Sequence, residues 1–457
     1  MPQNDKRLDR LFYLSILFMV TICVLGVWTS KFYSSDGAMY LFELMRLEEL
    51  YSFQEGRLFA HYIMKFPAYL AIKMGAYNFD VISALVGIPM YLQSIVCLIV
   101  SRWFLKDKEK WLILFPILNI FICSLNTEYA IESEALTLVS FFWPVFFFIF
   151  SGIKFGLNIK SFVFLIFTLT VPLTYETFAI CSLPLVYLIF KNKLLNIKLK
   201  STLISYYSVM SLYQFYNIIY HQHPQNVGGM IKSIYPGMFG ITQYGFSKYN
   251  FFNVHLGWMI FLLFLFTFFL IRKKERMHFS ILPALTVISG VVFSYVIFHP
   301  EIMTRTTQFQ TRALTSISPI LFSFLIAIVV KLNRLEKLRS MTSFVLLFLV
   351  LQFSMSMFTT YHWIQFKDFL KSASFGQEGV FPISRELVNQ KSKYRIFVRN
   401  YMPWSLPLYS IFLKDDKKIN SIAVPPYKHE ATNGILLDIT RKRFLSKYGF
   451  EIDNRIK

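Results

Sequence analysis

Acidic and basic side chains that could perform acid–base chemistry occur in a few short segments between long apolar runs. The first is Asp36, which follows the first apolar run and precedes Gly37. A carboxylate at this position could accept a proton from an acceptor hydroxyl, or it could bind a divalent metal, magnesium or manganese (Mg or Mn). Asp followed by Gly is also good turn and helix-capping chemistry, because the short side chain can accept hydrogen bonds from backbone N–H groups. The residue types leave both interpretations open.

A second acidic pair, Glu132 and Glu134, lies in another polar segment between two apolar runs. In an extended chain, side chains two residues apart point to the same face. The pair could therefore ligate a metal or supply a second acid–base group. The structural alternative is equally simple, since acidic residues in the first turn of a helix interact favourably with its macrodipole.

Cationic candidates for substrate binding accompany these acids. Arg57, Arg305 and Arg312 could bind a phosphate or diphosphate bidentately, although an arginine at a helix start can also snorkel to lipid headgroups. His61 and Glu176 are the other candidates for substrate binding. An ionisable group near the hydrocarbon of a membrane costs free energy, and its presence therefore suggests a function. The sequence has no nucleotide-binding, HExxH, GxSxG or CxxC motif, which argues against nucleotide-driven transport and serine hydrolysis.

The elements that must position these residues are transmembrane helices. The chain has 457 residues, of which 55% are hydrophobic and 18% aromatic, and its mean hydropathy is +0.48. A soluble protein cannot bury so much apolar surface. We therefore predict an all-α polytopic membrane protein with about eleven transmembrane helices of roughly 20 apolar residues each.

The predicted spans are 11–28, 81–104, 111–125, 135–153, 162–173, 178–190, a seventh that ends near 220, 256–271, 279–298, 313–330 and 344–360. A long first outer loop, 29–78, separates the first two. Within it, 58–74 is apolar but interrupted by charged residues and a proline, which favours an interfacial helix rather than a span.

Lysine and arginine clusters set the predicted orientation. The formal net charge is +21, and the clusters occur at alternate boundaries, as the positive-inside rule requires for an inside N-terminus. No nucleic-acid-binding module accompanies the charge. We predict a transmembrane domain over 1–360 and a small extracytoplasmic α/β domain over 361–457, in a multi-pass protein of a bacterial inner (plasma) membrane. The four cysteines lie in apolar runs and are interpreted as small buried hydrophobes.

This arrangement resembles the GT-C superfamily of integral membrane glycosyltransferases. The resemblance rests on the inside N-terminus, Asp36 just after the first span, the second acidic outer loop at Glu132 and Glu134, and the extracytoplasmic C-terminal domain. Residues 310–319 are similar to the Arg-then-Pro helix start that faces the lipid phosphate in several members. The chain departs from the family where Gly37, rather than a second acid, follows Asp36, and it lacks the Trp-Trp-Asp signature of oligosaccharyltransferases.

The resemblance implies transfer of a sugar from a polyprenyl-phosphate-linked donor to a lipid or glycan acceptor on the outer face. Asp36 would be the general base, and Glu132 and Glu134 would hold metal or provide a second carboxylate. The implied partners are the donor, the acceptor and membrane lipids, with no nucleic acid. A divalent metal is the only cofactor that the acidic residues suggest.

Three alternatives stay open. An O-antigen-polymerase-like enzyme or ligase would depend on outer-loop arginines more than on an early aspartate. A lipid or polysaccharide transporter or flippase would line a continuous path through both leaflets with charged residues. A membrane scaffold without chemistry would leave Asp36, Glu132 and Glu134 far apart.

Overall fold

A computed structural model describes the chain in segments. The described residues are 3–33, 37–52, 54–127, 134–221, 305–333, 335–340, 342–374, 377–383, 402–424, 436 and 443–452. Two predicted catalytic residues, Asp36 and Glu132, lie outside them, and so do the predicted spans at 256–271 and 279–298.

Helices dominate the described structure. They are α1 Gln3–Trp28, α2 Gly37–Leu47, α3 Leu58–Lys73, α4 Phe79–Phe104, α5 Leu114–Thr127, α6 Glu134–Phe150, α7 Ile159–Thr170, α8 Phe178–Lys191, α9 Ile197–Tyr216, α10 Arg305–Lys331, α11 Leu335–Ser340, α12 Thr342–Ser374, α13 Met402–Phe412 and α14 Arg443–Lys447. The strands are short: β1 Gly379–Pro382, β2 Lys418–Ile419, β3 Ser421–Val424 and β4 Glu451–Ile452. β1 pairs with β3 and β2 with β4, both in parallel.

Within these described segments, three helices are long and apolar enough to cross a membrane. They are Lys6–Trp28 of α1, Phe79–Phe104 of α4 and Val345–Ser374 of α12. Four shorter apolar helices accompany them at Glu134–Phe150, Ile159–Leu173, Phe178–Lys191 and Ser318–Lys331. The chain is therefore a mostly helical membrane protein. The number of eleven spans and the extracytoplasmic side of the C-terminal region stay predictions.

The exposed faces of the apolar helices are themselves apolar. On α1 the exposed side chains of Tyr13, Leu17, Val20 and Val24 recur every three or four residues and so form one stripe. A continuous apolar stripe of this length is unfavourable in water. Contact with lipid accounts for it.

The centre of the bundle is α6. Every residue from Glu134 to Ile149 is buried, as expected of a helix that is apolar on all sides. Polar pairs fix it to α4, where Gln93 accepts a hydrogen bond from Thr137 at 3.0 Å. The rings of Phe104 and Phe148 meet further along, with centroids 5.2 Å apart. The two helices therefore run in the same direction.

A second apolar cluster joins the first outer loop to the C-terminal region. Phe42 of α2, Trp363 and Phe366 of α12 and Tyr409 of α13 are all buried in it. α12 continues to Ser374, so the domain boundary predicted at 360 falls inside a helix.

Buried hydrogen bonds fix the start of this loop to α12. Lys31 donates from Nζ to the hydroxyls of Thr359 at 2.8 Å and Thr360 at 3.1 Å. The indole of Trp363 donates to the carbonyl of Thr29 at 3.0 Å. The end of α1 and the loop after it are therefore anchored before α2 begins.

The start of α2 depends on a glycine. A Cβ on Gly37 would lie 1.7 Å from the carbonyl oxygen of Phe32, which is itself fully buried. We expect Gly37→Ala to lower the free energy of unfolding by about 1–3 kcal/mol, because the backbone must shift to relieve the overlap. Thermal unfolding in detergent measures the effect.

The control for this substitution is Gly156→Ala. A Cβ on Gly156 meets only Asn158 Nδ2, at 3.7 Å, which is ordinary contact. Equal destabilisation by the two variants would contradict the tight start of α2.

Candidate functional site

α3 buries His61 and Lys65 and exposes apolar side chains. His61 is 2% exposed and Lys65 is 0% exposed, whereas Phe66 and Leu70 are 48% and 43% exposed. These two polar residues thus face the protein interior, and only Lys73, in the last turn, interrupts the apolar run from an exposed position. This orientation delivers two titratable groups to a site beneath the first outer loop.

Arg57 reaches the same site from a turn of 3-10 helix just before α3. Gln214 of α9 holds this turn by donating from Nε2 to the carbonyl of Gly56 at 2.8 Å and to that of Pro172 at 2.5 Å. A Cβ on Gly56 would lie 2.7 Å from Gln214 Oε1, so a larger residue would displace Gln214. The small residue before Arg57 is therefore part of what positions it.

The carboxylate of Glu134 is the common acceptor in the site. Glu134 is the first residue of α6, where a negative charge is favoured by the helix macrodipole. Its Oε1 accepts a short hydrogen bond from the hydroxyl of Tyr40 on α2. His61 Nε2 lies 3.0 Å from the same oxygen, and Arg57 Nη1 lies 3.6 Å from it.

Arg57 also binds a second carboxylate. Its Nε donates to Glu176 Oε1 at 2.7 Å, and its guanidinium lies 4.6 Å from the centre of the Tyr175 ring. Both charged side chains are 4% exposed. Arg57 Nη2 and Glu176 Oε2 are buried and have no hydrogen-bond partner among the described residues.

Lys65 completes what we call the Glu134 cluster: Tyr40, Arg57, His61, Lys65, Glu134 and Glu176. The Lys65 ammonium donates to the carbonyl of Tyr51 at 2.9 Å and lies 5.1 Å from the centre of the Tyr40 ring. Two carboxylates and three basic side chains thus share one buried volume. Their charges balance when Arg57 and Lys65 are protonated and His61 is neutral.

Burial and neighbouring charge set the protonation of the basic groups. Burial lowers the pKa of His61, the bond to Glu134 opposes this only in part, and the cations of Lys65 and Arg57 lower it further. Burial also lowers the pKa of Lys65, to about 8, against the charges of Glu43 and Glu134. Burial lowers the pKa of Arg57 too, but the carboxylates of Glu176 and Glu134 outweigh it and raise that pKa above its ordinary value.

At neutral pH, His61 is therefore a neutral ring between an acceptor and a hydroxyl. Its Nε2–H donates to Glu134, and its Nδ1 lies 2.8 Å from Ser52 Oγ. The ring is held at both nitrogens. Such a histidine is oriented for a proton-linked role or for a purely structural one.

The described part of the cluster does not suit a divalent metal. Arg57 lies against both carboxylates, and a bound cation would have to compete with it. Among the described residues there is no group of three or more His, Cys, Asp or Glu side chains that could hold a metal ion. The predicted metal role of Asp36 and Glu132 concerns residues outside that part of the chain.

The structure brings together four of the predicted site residues: Arg57, His61, Glu134 and Glu176. They come from different segments of the chain. Asp36 and Glu132 lie outside the described residues, although Asp36 is bonded to Gly37, the first residue of α2. Arg305 and Arg312 belong to α10, but their side chains are not described.

Sequence reasoning missed Tyr40 and Lys65 as members of the site. A signal for Lys65 was present, because Arg57, His61 and Lys65 are spaced by four residues and so lie on one helical face. Tyr40 offered no such signal. It is one of the aromatic residues that make up 18% of the chain, and only its packing against Glu134 distinguishes it.

Comparison with protein-family models, with curated proteins and with solved structures finds no match to this chain.

Removing Arg57 tests how strongly the cluster depends on it. We expect Arg57→Ala to lower the free energy of unfolding by about 3–5 kcal/mol, because it leaves two carboxylates buried without their shared cation. The matched control is Lys447→Ala, which breaks a 2.8 Å ion pair with Glu48 where the lysine side chain is 52% exposed. That loss should be about 0–1 kcal/mol. Similar losses in thermal unfolding would refute the buried pairing.

The pH dependence of stability tests the neutral state of His61. The folded protein holds the pKa of His61 below the value of about 6.5 that it has when unfolded. The unfolded chain therefore binds more protons between these two values, and stability falls as pH drops below about 6.5. Thermal unfolding midpoints from pH 8 to pH 5 should fall less steeply for His61→Gln. Parallel profiles would show that His61 is protonated equally in both states.

Proposed function

We propose that this protein is a membrane glycosyltransferase that moves a sugar from a polyprenyl-phosphate-linked donor to a lipid or glycan acceptor on the outer face. The main support is the convergence of Arg57, His61, Glu134 and Glu176 into one buried cluster. They come from separate segments, each of which is an outer segment in the predicted topology. A chain selected only to span the membrane gains little from collecting such groups, because each one costs desolvation energy.

The proposed reaction is a single displacement. The acceptor hydroxyl oxygen attacks the anomeric carbon as the bond from that carbon to the donor phosphate breaks. The polyprenyl phosphate leaves with the electron pair, and a carboxylate accepts the hydroxyl proton. The configuration at the anomeric carbon would be inverted. A lipid-linked donor suits this side of the membrane because nucleotide sugars are absent outside the cell.

In this proposal Asp36 remains the general base. It directly precedes α2, whose Tyr40 donates to Glu134, so covalent connection ties it to a helix anchored on the cluster. The buried contact between Gly37 and the Phe32 carbonyl fixes where that helix starts.

Glu134 is better suited to positioning than to proton abstraction. Its Oε1 accepts from Tyr40 and is close to both His61 and Arg57. An oxygen that already accepts from these groups has little acceptor capacity left for the proton of a substrate hydroxyl. We therefore assign Glu134 the role of holding Tyr40 and His61 in place.

Arg57 is the proposed contact for the donor phosphate. Two of its nitrogens are directed at carboxylates, whereas Nη2 has no hydrogen-bond partner among the described residues. A phosphate oxygen there would gain a charge-assisted hydrogen bond. As the phosphate leaves, this contact would stabilise its growing negative charge.

The test is transfer by the purified full chain in liposomes. A radiolabelled polyprenyl-phosphate hexose is supplied, and release of polyprenyl phosphate is measured by chromatography. We expect Asp36→Asn to reduce the rate by at least about 100-fold, since general base catalysis contributes about that much. The thermal unfolding midpoint should be unchanged.

The control variant is Asp107→Asn, which alters an exposed aspartate that pairs with Lys110 at 2.6 Å. It should retain full activity. Transfer that survives in Asp36→Asn would refute the assigned base. Absence of transfer by the wild-type chain with every polyprenyl-linked donor tried would refute the proposed function and leave the cluster as a structural ion-pair network.

A further inference from the structure

A separate cavity of about 310 Å³ lies where the ends of three helices meet the C-terminal region. It is lined by the end of α1, the start of α4, the later part of α12 and the chain after α13. We call it the lysine cavity, because Lys367, Lys414 and Lys417 all line it. It shares no lining residue with the Glu134 cluster.

The three lysines differ in their partners. Lys417 forms an ion pair with Asp80 at 2.9 Å. Lys414 donates only to uncharged groups, the Asn420 side-chain oxygen at 2.7 Å and the Ser421 carbonyl at 3.0 Å. Lys367, which is half-buried, has no hydrogen bond or ion pair among the described residues.

Each of the two acids that line the cavity is engaged by another lysine. Asp80 is engaged by Lys417, and Asp415 is engaged at 2.5 Å by Lys371. Lys367 and Lys414 form no ion pair among the described groups, although the carboxylates of Asp415 and Asp368 act on Lys367, and that of Asp416 on Lys414, from further away. Two such cations facing one concave space favour an anion.

The remaining walls are apolar or carry hydroxyl groups. Tyr33 and Ser83 share a 2.6 Å hydrogen bond at the cavity, and either hydroxyl can also donate to or accept from a ligand. Trp28 lines the opening and is 77% exposed. An exposed tryptophan at the end of an apolar helix is typical of the boundary between hydrocarbon and water.

The cavity also lies at that boundary by position. α1, α4 and α12 contain the three candidate spans of the described chain, and the cavity is lined by Trp28, Phe79 and Lys367 from these helices. α1 ends there and α4 begins there. A ligand in the cavity would therefore lie at the level of lipid headgroups.

We propose that the lysine cavity binds the phosphate headgroup of an anionic membrane lipid. The phosphate would lie between Lys367 and Lys414, and the acyl chains would leave past Trp28 along the apolar helix faces. Basic pockets between transmembrane helices bind headgroups in this way. The volume suits a headgroup with its glycerol. The proposal does not depend on the glycosyl-transfer function.

The experiment titrates the purified full chain in a mild uncharged detergent with short-chain phosphatidylglycerol. Calorimetry measures binding, with short-chain phosphatidylcholine and inorganic phosphate as the comparison ligands. We expect saturable binding of phosphatidylglycerol that weakens with added salt, and weaker binding of both comparison ligands. Lys367→Gln should lower the affinity for phosphatidylglycerol by about fivefold, in line with the loss of one lysine near a charged surface.

Two further variants keep the test specific. Lys418→Gln alters an exposed lysine outside the cavity that lies 4.0 Å from Glu451, and it should bind like the wild type. Lys367→Arg should retain most of the affinity, because it keeps the charge. The unfolding midpoint of Lys367→Gln without lipid should be unchanged.

Several outcomes would overturn the proposal. Equal affinity for phosphatidylglycerol and phosphatidylcholine would show that charge does not select the ligand. Inorganic phosphate that binds as tightly as phosphatidylglycerol would show a free-phosphate site rather than a lipid site. Binding that is insensitive to salt, or reduced equally by Lys367→Gln and Lys418→Gln, would exclude the cavity as the binding site.

Discussion

The ion pairs of the buried Arg57 guanidinium are the interaction on which the packing of the 29–78 loop against α6 and α8 depends. Nε binds Glu176 at 2.7 Å, and Nη1 lies 3.6 Å from Glu134. These contacts join the first outer loop to the start of α6 and to the turn before α8. A buried cation is stable only when carboxylates lie beside it. The segments that carry Glu134 and Glu176 must therefore pack against the segment that carries Arg57.

The sequence indicates the ionisable residues of this site because charged residues are rare in so apolar a chain. Arg57, His61, Glu134 and Glu176 stand out as ionisable groups between apolar runs, and the structure brings them together. Which residues pair could not be predicted, because pairing depends on contacts between segments that are far apart in the chain.

Helix orientation is harder to predict because lipid reverses the usual rule. A helix interrupted by His61 and Lys65 suggests a polar face toward water, yet these residues are buried and Phe66 is exposed. The spacing of polar and apolar residues is the same whether the polar face of the helix lies toward water or toward the protein interior. The extension of α12 to Ser374 was missed for a related reason. Its last turns are mixed in polarity, and Phe366, Phe369 and Leu370 pack in the second apolar cluster.

The Glu134 cluster and the lysine cavity lie at different depths along α4, and their chemistry differs accordingly. Thr137 of α6 lies beside Gln93 of α4, and the two helices run in the same direction. Glu134 therefore lies about three helical turns along α4 from its first residue, Phe79. The lysine cavity lies at that end. At the boundary between hydrocarbon and water, water molecules and lipid headgroups can solvate positive charge. Lysines without ion-pair partners therefore cost little free energy there. Three turns deeper, Arg57 and Lys65 are buried, and Arg57 lies against the carboxylates of Glu134 and Glu176. The same basic residue types thus form the proposed anion site at one depth and a cluster paired with carboxylates at the other.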